Sequence, residues 1–404
     1  MKDEFTIKIL VLDDEPFMHK LLARMLANLG YAPISTCDNG HDALDLLDGT
    51  DSPNLILLDL NMPKMDGLEF VRQLVERHYT GSLILISGED ERMQQAAERL
   101  AQAHQITVLG HLHKPATPEG LAALIGKWMP PQKKEPRAAN KIYGADEVRT
   151  AIANGELVNY YQPKVMVATC RVVGVETLAR WLHPQDGMVL PDQFIGVAEA
   201  HGLIDELTRL VMTSAFAQAK AWMDAGLILQ VAVNLSMDNL VSLDFTDLVV
   251  GLATQSGVPP QMLELEVTES RLMGDLRTPL EILTRLRLKR FQISIDDFGI
   301  GNSSLAQLRD LPFDELKIDQ GFVHGACDKE NLRAMFDHCL GLAKQLRMNV
   351  VAEGVEDQSD WDFVCKTECD IAQGYFIAKP MPADDLPGWI QTWQSTFGRT
   401  VRRI

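Results

Sequence analysis

Gln292-Ile293-Ser294-Ile295-Asp296-Asp297-Phe298-Gly299 decides how the larger part of this chain is read. A short apolar run stops at two adjacent carboxylates, and a glycine follows. A run of this length bounded by turn residues is a buried strand. The same device recurs on both sides of it, at 160–165, 172–178, 230–234, 263–268, 315–318, 349–352 and 370–376, with the helix-length stretches between most of these runs. Eight strands in about 260 residues predict a (β/α)8, TIM-like barrel. Polar groups stand where these runs end: Glu176, Asn234, Glu266 and Glu269, Asp296 and Asp297, Lys317 and Asp319, Glu353 and Glu356, and Gln373. In such a barrel the carboxyl ends of the strands converge on one rim, where catalytic groups meet.

Upstream, the alternation has a shorter scale. Apolar runs at 7–12, 33–36, 55–58, 83–86 and 107–109 alternate with amphipathic stretches such as 17–29 and 41–47. Five β and five α elements in alternation predict a doubly wound parallel (βα)5 sheet. Its strand ends carry Asp13-Asp14-Glu15, Asp59, Ser87-Gly88 and Lys114-Pro115. The stretch Met129-Pro130-Pro131-Gln132-Lys133-Lys134-Glu135-Pro136-Arg137 lacks apolar periodicity and reverses the local charge, so it reads as a linker. The expected organisation is 1–129, an α/β domain; 130–141, a linker; and 142–404, the barrel.

Composition narrows the function. The 404 residues carry a net charge of −18: net −8 over 1–130, +3 over 131–141 and −13 over 142–404. Duplex nucleic acid needs many phosphate-neutralising cations, so DNA is excluded as an expected partner. A small anionic ligand met by a metal or a few local bases is not. Six scattered cysteines (37, 170, 327, 339, 365 and 369) without a CxxC predict a reducing cytoplasm and no disulfide framework. The N-terminus has no signal-peptide pattern, and no apolar run reaches the ~18 residues of a membrane span.

The chemistry of both rims follows from residue type. Carboxylates at adjacent strand ends can hold a hard cation such as Mg2+, and a nearby lysine and hydroxyl can meet a phosphoryl oxygen. The barrel rim gathers many carboxylates, whose mutual repulsion divalent ions would remove. Oxygen donors without His or Cys favour Mg2+ or Mn2+ over Zn2+, and metal pairs are a recurrent device for phosphodiester hydrolysis.

Residues 6–128 resemble the response-regulator receiver domain. The resemblance implies Asp59 as phospho-acceptor, Asp13 and Asp14 with Asp59 on Mg2+, Ser87 and Lys114 on the phosphoryl group, and a cognate sensor histidine kinase as partner. Receivers usually carry an aromatic switch three residues before the lysine; here His111 stands there. Residues 145–390 resemble the EAL-domain cyclic-di-GMP phosphodiesterases, the signature triplet reading Glu176-Thr177-Leu178. This resemblance implies hydrolysis of cyclic-di-GMP to linear pGpG with two Mg2+ or Mn2+ ions. Glu176, Asn234, Glu266 and Asp296 would ligate metal, with Asp297, Asp319 and Glu353 serving the second ion or its water. Glu353, Lys317, Asp297 and Gln373 would form the catalytic set, Lys317 and Gln373 close to the attacking water. Gln162, Leu178 and Arg180 would contact substrate. Glu269 and Glu356 would support the site, Glu269 by positioning the loop after the fifth strand. That loop has Ile300 and Asn302 where the family usually has Thr and Tyr. A homodimer or higher homo-oligomer is expected by the same resemblance. The competing expectation is a catalytically weak or inactive EAL domain that binds cyclic-di-GMP and relays a signal by protein contact.

Overall fold

The computed structural model describes residues 7–49, 52–77, 79–88, 91–103, 106–128, 141, 143–268, 277–299, 308–309 and 311–397. The chain divides into two compact units, Met1–Arg137 and Ala138–Ile404.

In the first unit, β1 (Ile9–Leu12), β2 (Ile34–Cys37), β3 (Leu55–Asp59), β4 (Ser82–Ser87) and β5 (Thr107–His113) form one parallel sheet in the order β2-β1-β3-β4-β5. Helices α1 (Pro16–Asn28), α2 (Gly40–Leu47), α3 (Gly67–Glu76), α4 (Glu91–Ala103) and α5 (Pro118–Ile125) alternate with the strands. The strands are apolar on both faces because both are covered. Leu10, Leu12, Ile56 and Leu58 pack with Phe70 and Leu74, whereas Ile9, Val11, Leu55 and Leu57 pack with Leu22, Leu26 and Leu121. Local chemistry sets the helix starts. Asn39, Asp66 and Thr117 each accept a backbone N–H from the first turn of α2, α3 and α5. The order reverses between β1 and β3, which brings the ends of these two strands side by side.

In the second unit, α6 (Ala145–Asn154) precedes β6 (Leu157–Met166), β7 (Val172–His183) and β8 (Gly187–Val189). Then follow α7 (Ile195–Ala200), α8 (Ile204–Asp224), β9 (Gln230–Leu235), α9 (Asp244–Ser256), β10 (Leu263–Thr268), α10 (Arg277–Leu288), β11 (Gln292–Phe298) and β12 (Glu315–Ile318). The unit ends with α11 (Gln320–Val323), α12 (Glu330–Gln345), β13 (Asn349–Ala352), α13 (Gln358–Val364), β14 (Ile371–Ala372) and α14 (Leu386–Phe397). The sheet order β6-β14-β13-β12-β11-β10-β9-β7 closes on itself through β6–β7, and β8 adds a hairpin to β7 outside the ring. All eight expected strands are present in an α/β barrel.

Three details differ from a uniformly parallel barrel. First, β6 runs antiparallel to both β7 and β14. Only a few residues join β6 to β7, far fewer than the dozen or more that a parallel crossover requires. Second, β7 continues beyond Leu178 to His183, because past Thr177 it stays paired with β6 and then with β8. Third, β14 is only two residues long. The chain leaves the sheet at Gln373, and Gly374 passes so close to the Val355 backbone that a Cβ there would lie 2.2 Å from its carbonyl oxygen. Near the C-terminal end of β7, Tyr143 is buried against Trp181, with ring centroids 4.6 Å apart, and Phe194 closes the cluster.

Candidate functional site

The first unit builds its site at the reversal point of the sheet. Asp59 is the last residue of β3, and Asp13 follows β1. Both are buried, and Asp13, Asp14 and Asp59 each offer an oxygen within 4.8 Å of the others. Lys114, just beyond β5, reaches across with its Nζ 2.9 Å from Asp13 Oδ2 and 2.8 Å from Asp59 Oδ2. Burial raises the Asp59 carboxyl above its ordinary range, against the pull of Lys114. Ser87 ends β4, and its carbonyl accepts the Lys114 backbone N–H at 2.9 Å. Expected pocket residues from four strand ends are therefore neighbours. His111 faces α4, its Nδ1 3.1 Å from Glu98 Oε2.

The second site lies at the carboxyl rim of the barrel. Lys317 is its centre, with Nζ 2.9 Å from Glu266, 3.0 Å from Asp296, 2.8 Å from Glu353 and 3.5 Å from Glu176. Its side chain is 1% exposed. Burial works against its charge, but the surrounding carboxylates outweigh that and hold the ammonium well above the ordinary lysine value. Glu176 accepts two further ties: Asn234 donates to Oε1 at 2.8 Å and Gln373 to Oε2 at 2.7 Å, the oxygen that Lys317 stands beside. Gln373 also donates to Gln162 Oε1 at 3.0 Å, and Gln162 lies directly across the β6–β7 ladder from Glu176.

Adjacent strand residues normally point to opposite faces, yet Asp296 and Asp297 both face the rim. The register of β11 against β12 shifts between Ile295 and Phe298, and Asp297 takes φ +55°. This bulge turns the second carboxylate back beside the first. As a result, Asp296, Asp297 and Glu353 offer oxygens within 4.8 Å of one another, as do Glu176, Glu266 and Asp296. The groups share Asp296. Burial, then Asp296 and Asp319, push the Asp297 carboxyl up to about 6. Burial likewise raises Glu353 and Glu176 despite Lys317. Two adjoining sets of oxygen donors, in which Glu176, Asp297 and Glu353 resist their own ionisation, suit a pair of hard divalent cations.

The remaining expected residues fall around this centre. Asp319 caps α11 by accepting Gly321 N–H at 2.8 Å and lines the same cleft as Asp297, Glu353, Glu356 and Gln373. Glu356 is held through its backbone N–H, which donates to Asp360 at 3.0 Å. Leu178 lines a separate apolar cavity beside Asn234, with Pro191, Ile195 and Leu207. The Arg180 guanidinium is half-buried and donates to its neighbour's carbonyl, Ala179 O, at 2.8 Å. Glu269, Ile300 and Asn302 lie outside the described residues.

The sequence reading missed a second buried layer. Lys164, Glu264 and Glu315 lie inside the barrel, with Lys164 Nζ 3.1 Å from Glu264, 2.6 Å from Glu266 and 3.3 Å from Glu315. The signal was available: Glu264 and Glu315 precede Glu266 and Lys317 by two residues, and strand side chains repeat with period two.

Residues 145–380 match the EAL domain family, more than half of the chain. The chain belongs to that family. Its residues 9–126 match the response regulator receiver domain. Among curated relatives, RocR of Pseudomonas aeruginosa, a cyclic di-GMP phosphodiesterase, is 32% identical over 93% of this chain and 96% of its own length. NbdA of the same organism, also a cyclic di-GMP phosphodiesterase, is 37% identical, and the match spans 66% of this chain and 34% of NbdA. Among solved structures, the MucR phosphodiesterase complexed with c-di-GMP is 38% identical with a TM-score of 0.58, covering 60% of this chain and 98% of that one. Among the described residues of this EAL protein, no helix is long and apolar enough to cross a membrane.

Proposed function

We propose that this chain is a receiver-controlled phosphodiesterase that hydrolyses cyclic di-GMP to linear pGpG. EAL membership and the nearly end-to-end likeness to RocR support the activity. The observation that carries the mechanism is the pair of adjoining carboxylate sets around Lys317.

Glu176, Asn234, Glu266 and Asp296 would hold one divalent ion, and Asp297, Asp319 and Glu353 a second. Bound Mg2+ or Mn2+ supplies Lewis-acid charge to the phosphodiester and lowers the pKa of water. The chain's own residues do the rest. Lys317 offers a fixed positive charge in a buried site, where it is screened little. Glu353, whose carboxyl is raised by burial, is the group to take a proton from attacking water. Gln373 and Gln162 orient Glu176 and the water's approach through their amide chain. Arg180 can turn from the Ala179 carbonyl to a substrate phosphate, where guanidinium bonds are charge-assisted. Leu178 presents an apolar wall to the rest of the ligand.

In the receiver, Asp59 is the phospho-acceptor, Asp13 and Asp14 hold Mg2+ with it, and Ser87 and Lys114 meet the phosphoryl group. A sensor histidine kinase is the cognate donor, the protein acts in the cytoplasm, and a homodimer or higher homo-oligomer is the working assembly. The full set of rim donors favours the enzyme over a receptor that binds without turnover.

The test is purified protein with cyclic di-GMP and Mg2+, read by product chromatography. We expect pGpG; tight binding without product would overturn the enzyme reading. A small-molecule phosphodonor should label the wild type and not Asp59→Asn, and equal labelling would refute the acceptor.

A further inference from the structure

The charged layer beneath the rim has no part in the reaction described above, yet it touches that site at one point. Glu266 is fully buried and divided between two lysines: Lys164 donates to Oε1 at 2.6 Å and Lys317 to Oε2 at 2.9 Å. The other ammonium partners of Lys164 are Glu264 and Glu315, in the lower layer; Lys317's are Glu176, Asp296 and Glu353, at the rim. Glu266 is thus the hinge between layers, with one oxygen committed downward and one upward.

The reversed direction of β6 makes this possible. Gln162 lies opposite Glu176 at the rim, and Lys164, two residues later, lies opposite Gly174. In a strand running toward the rim, the residue two beyond the last rim position would have left the barrel. In β6 it descends one layer on the same face.

We propose that Lys164 is a positioning residue for the phosphodiesterase. By holding Glu266 Oε1 it fixes the carboxylate's rotation and commits Oε2 to the cation-binding face. The terminal torsion of a glutamate is otherwise broad, and a charge-assisted bond to a buried ammonium is strong enough to select one setting. Partners of this kind behind a metal-holding side chain typically carry about 10- to 100-fold in metal affinity or activity. The inference rests on the assignment of Glu266 to a cation in the proposed function.

The competing account gives Lys164 only the task of neutralising Glu264 and Glu315, and three variants separate the two. Lys164→Met should lower kcat about 10- to 100-fold with KM for cyclic di-GMP little changed, and weaken calorimetric Mn2+ binding to the substrate-free protein by a similar factor. The triple variant K164M/E264Q/E315Q removes the buried charges left unpaired. It should regain thermal stability relative to K164M while kcat and Mn2+ affinity stay low. Recovery of all three would overturn the proposal, as would wild-type kcat and Mn2+ affinity in K164M itself. If K164M does not fold, the triple variant is set against E264Q/E315Q, which retains Lys164 on Glu266: kcat and Mn2+ affinity low in the first and wild-type in the second support the proposal, and equal values in the two refute it. Hydrolysis by the wild type is measured alongside. A wild type that binds Mn2+ without turnover sinks the phosphodiesterase reading, and the Mn2+ isotherms then decide the role of Lys164 alone.

Discussion

The two acid sites of this chain share a plan and differ in how tightly they hold their cation. In the receiver, Lys114 comes from beyond an edge strand, touches two carboxylates and keeps its side chain 19% exposed. In the barrel, Lys317 rises from inside the ring, touches four carboxylates and is 1% exposed. In the proposed function the Asp59 carboxylate gains and loses a phosphoryl group, which needs a partner that can shift with it. A carboxylate set that must keep one geometry through every turnover needs a partner that cannot. The difference therefore teaches which charges are working parts and which are frame.

Three measurements bear on this contrast. The largest effect is expected from Glu353→Gln, which should lower kcat about 10²–10⁴-fold, the usual contribution of a positioned acid or base. Asp59→Asn should leave the turnover of unphosphorylated protein within a few fold of wild type. Similar losses in both would mean that the two sites are not separate machines. Next comes the cost of removing each lysine. In metal-free protein, Lys317→Met should destabilise the barrel's urea transition by about 3–5 kcal/mol, because buried carboxylates lose their cation. Lys114→Met should cost the receiver about 1 kcal/mol, as for a partly exposed pair. Equal losses would erase the distinction between frame and working part.

The smallest effect is a pH dependence. The Asp297 carboxyl stands at about 6 in the fold, above its ordinary 3.8. Between these values the folded state binds more protons than the unfolded one, so this group withdraws stability as pH rises. The thermal midpoint of metal-free Asp297→Asn should therefore gain on that of the wild type as pH climbs from about 4 to 6. A constant difference across that window would show that burial and the neighbouring carboxylates do not raise Asp297.

Much of this was legible in the residues. Apolar runs ending in Asp, Glu or Lys marked both rims, because a parallel strand delivers its end residue to a shared edge; Asp59, Glu176, Asp296 and Glu353 could be read this way. Reading each residue at a strand end hid the layer below: Lys164, Glu264 and Glu315 sit within their strands and show only as a period-two echo of the rim. The bulge that lets Asp296 and Asp297 share a face was also hidden, since nothing in two adjacent aspartates states which backbone will carry them. The direction of β6 was readable from the short link to β7, but the count of eight strands masked it.

The closure of the barrel carries a consequence for biosynthesis. β6 pairs at once with β7, but its other edge waits for β14: Met166 meets Ile371, and Val165 meets Ala372. About 200 residues separate these partners, so at ~5–20 residues per second the ribosome takes about 10–40 s to supply the second. Through that interval the nascent hairpin presents an unpaired strand, the form most open to pairing with another chain. Lys164, facing inward near that edge, places a charge where a foreign strand would have to bury it. The last strand of the barrel is also its shortest, so the ring is sealed by two residues that arrive late.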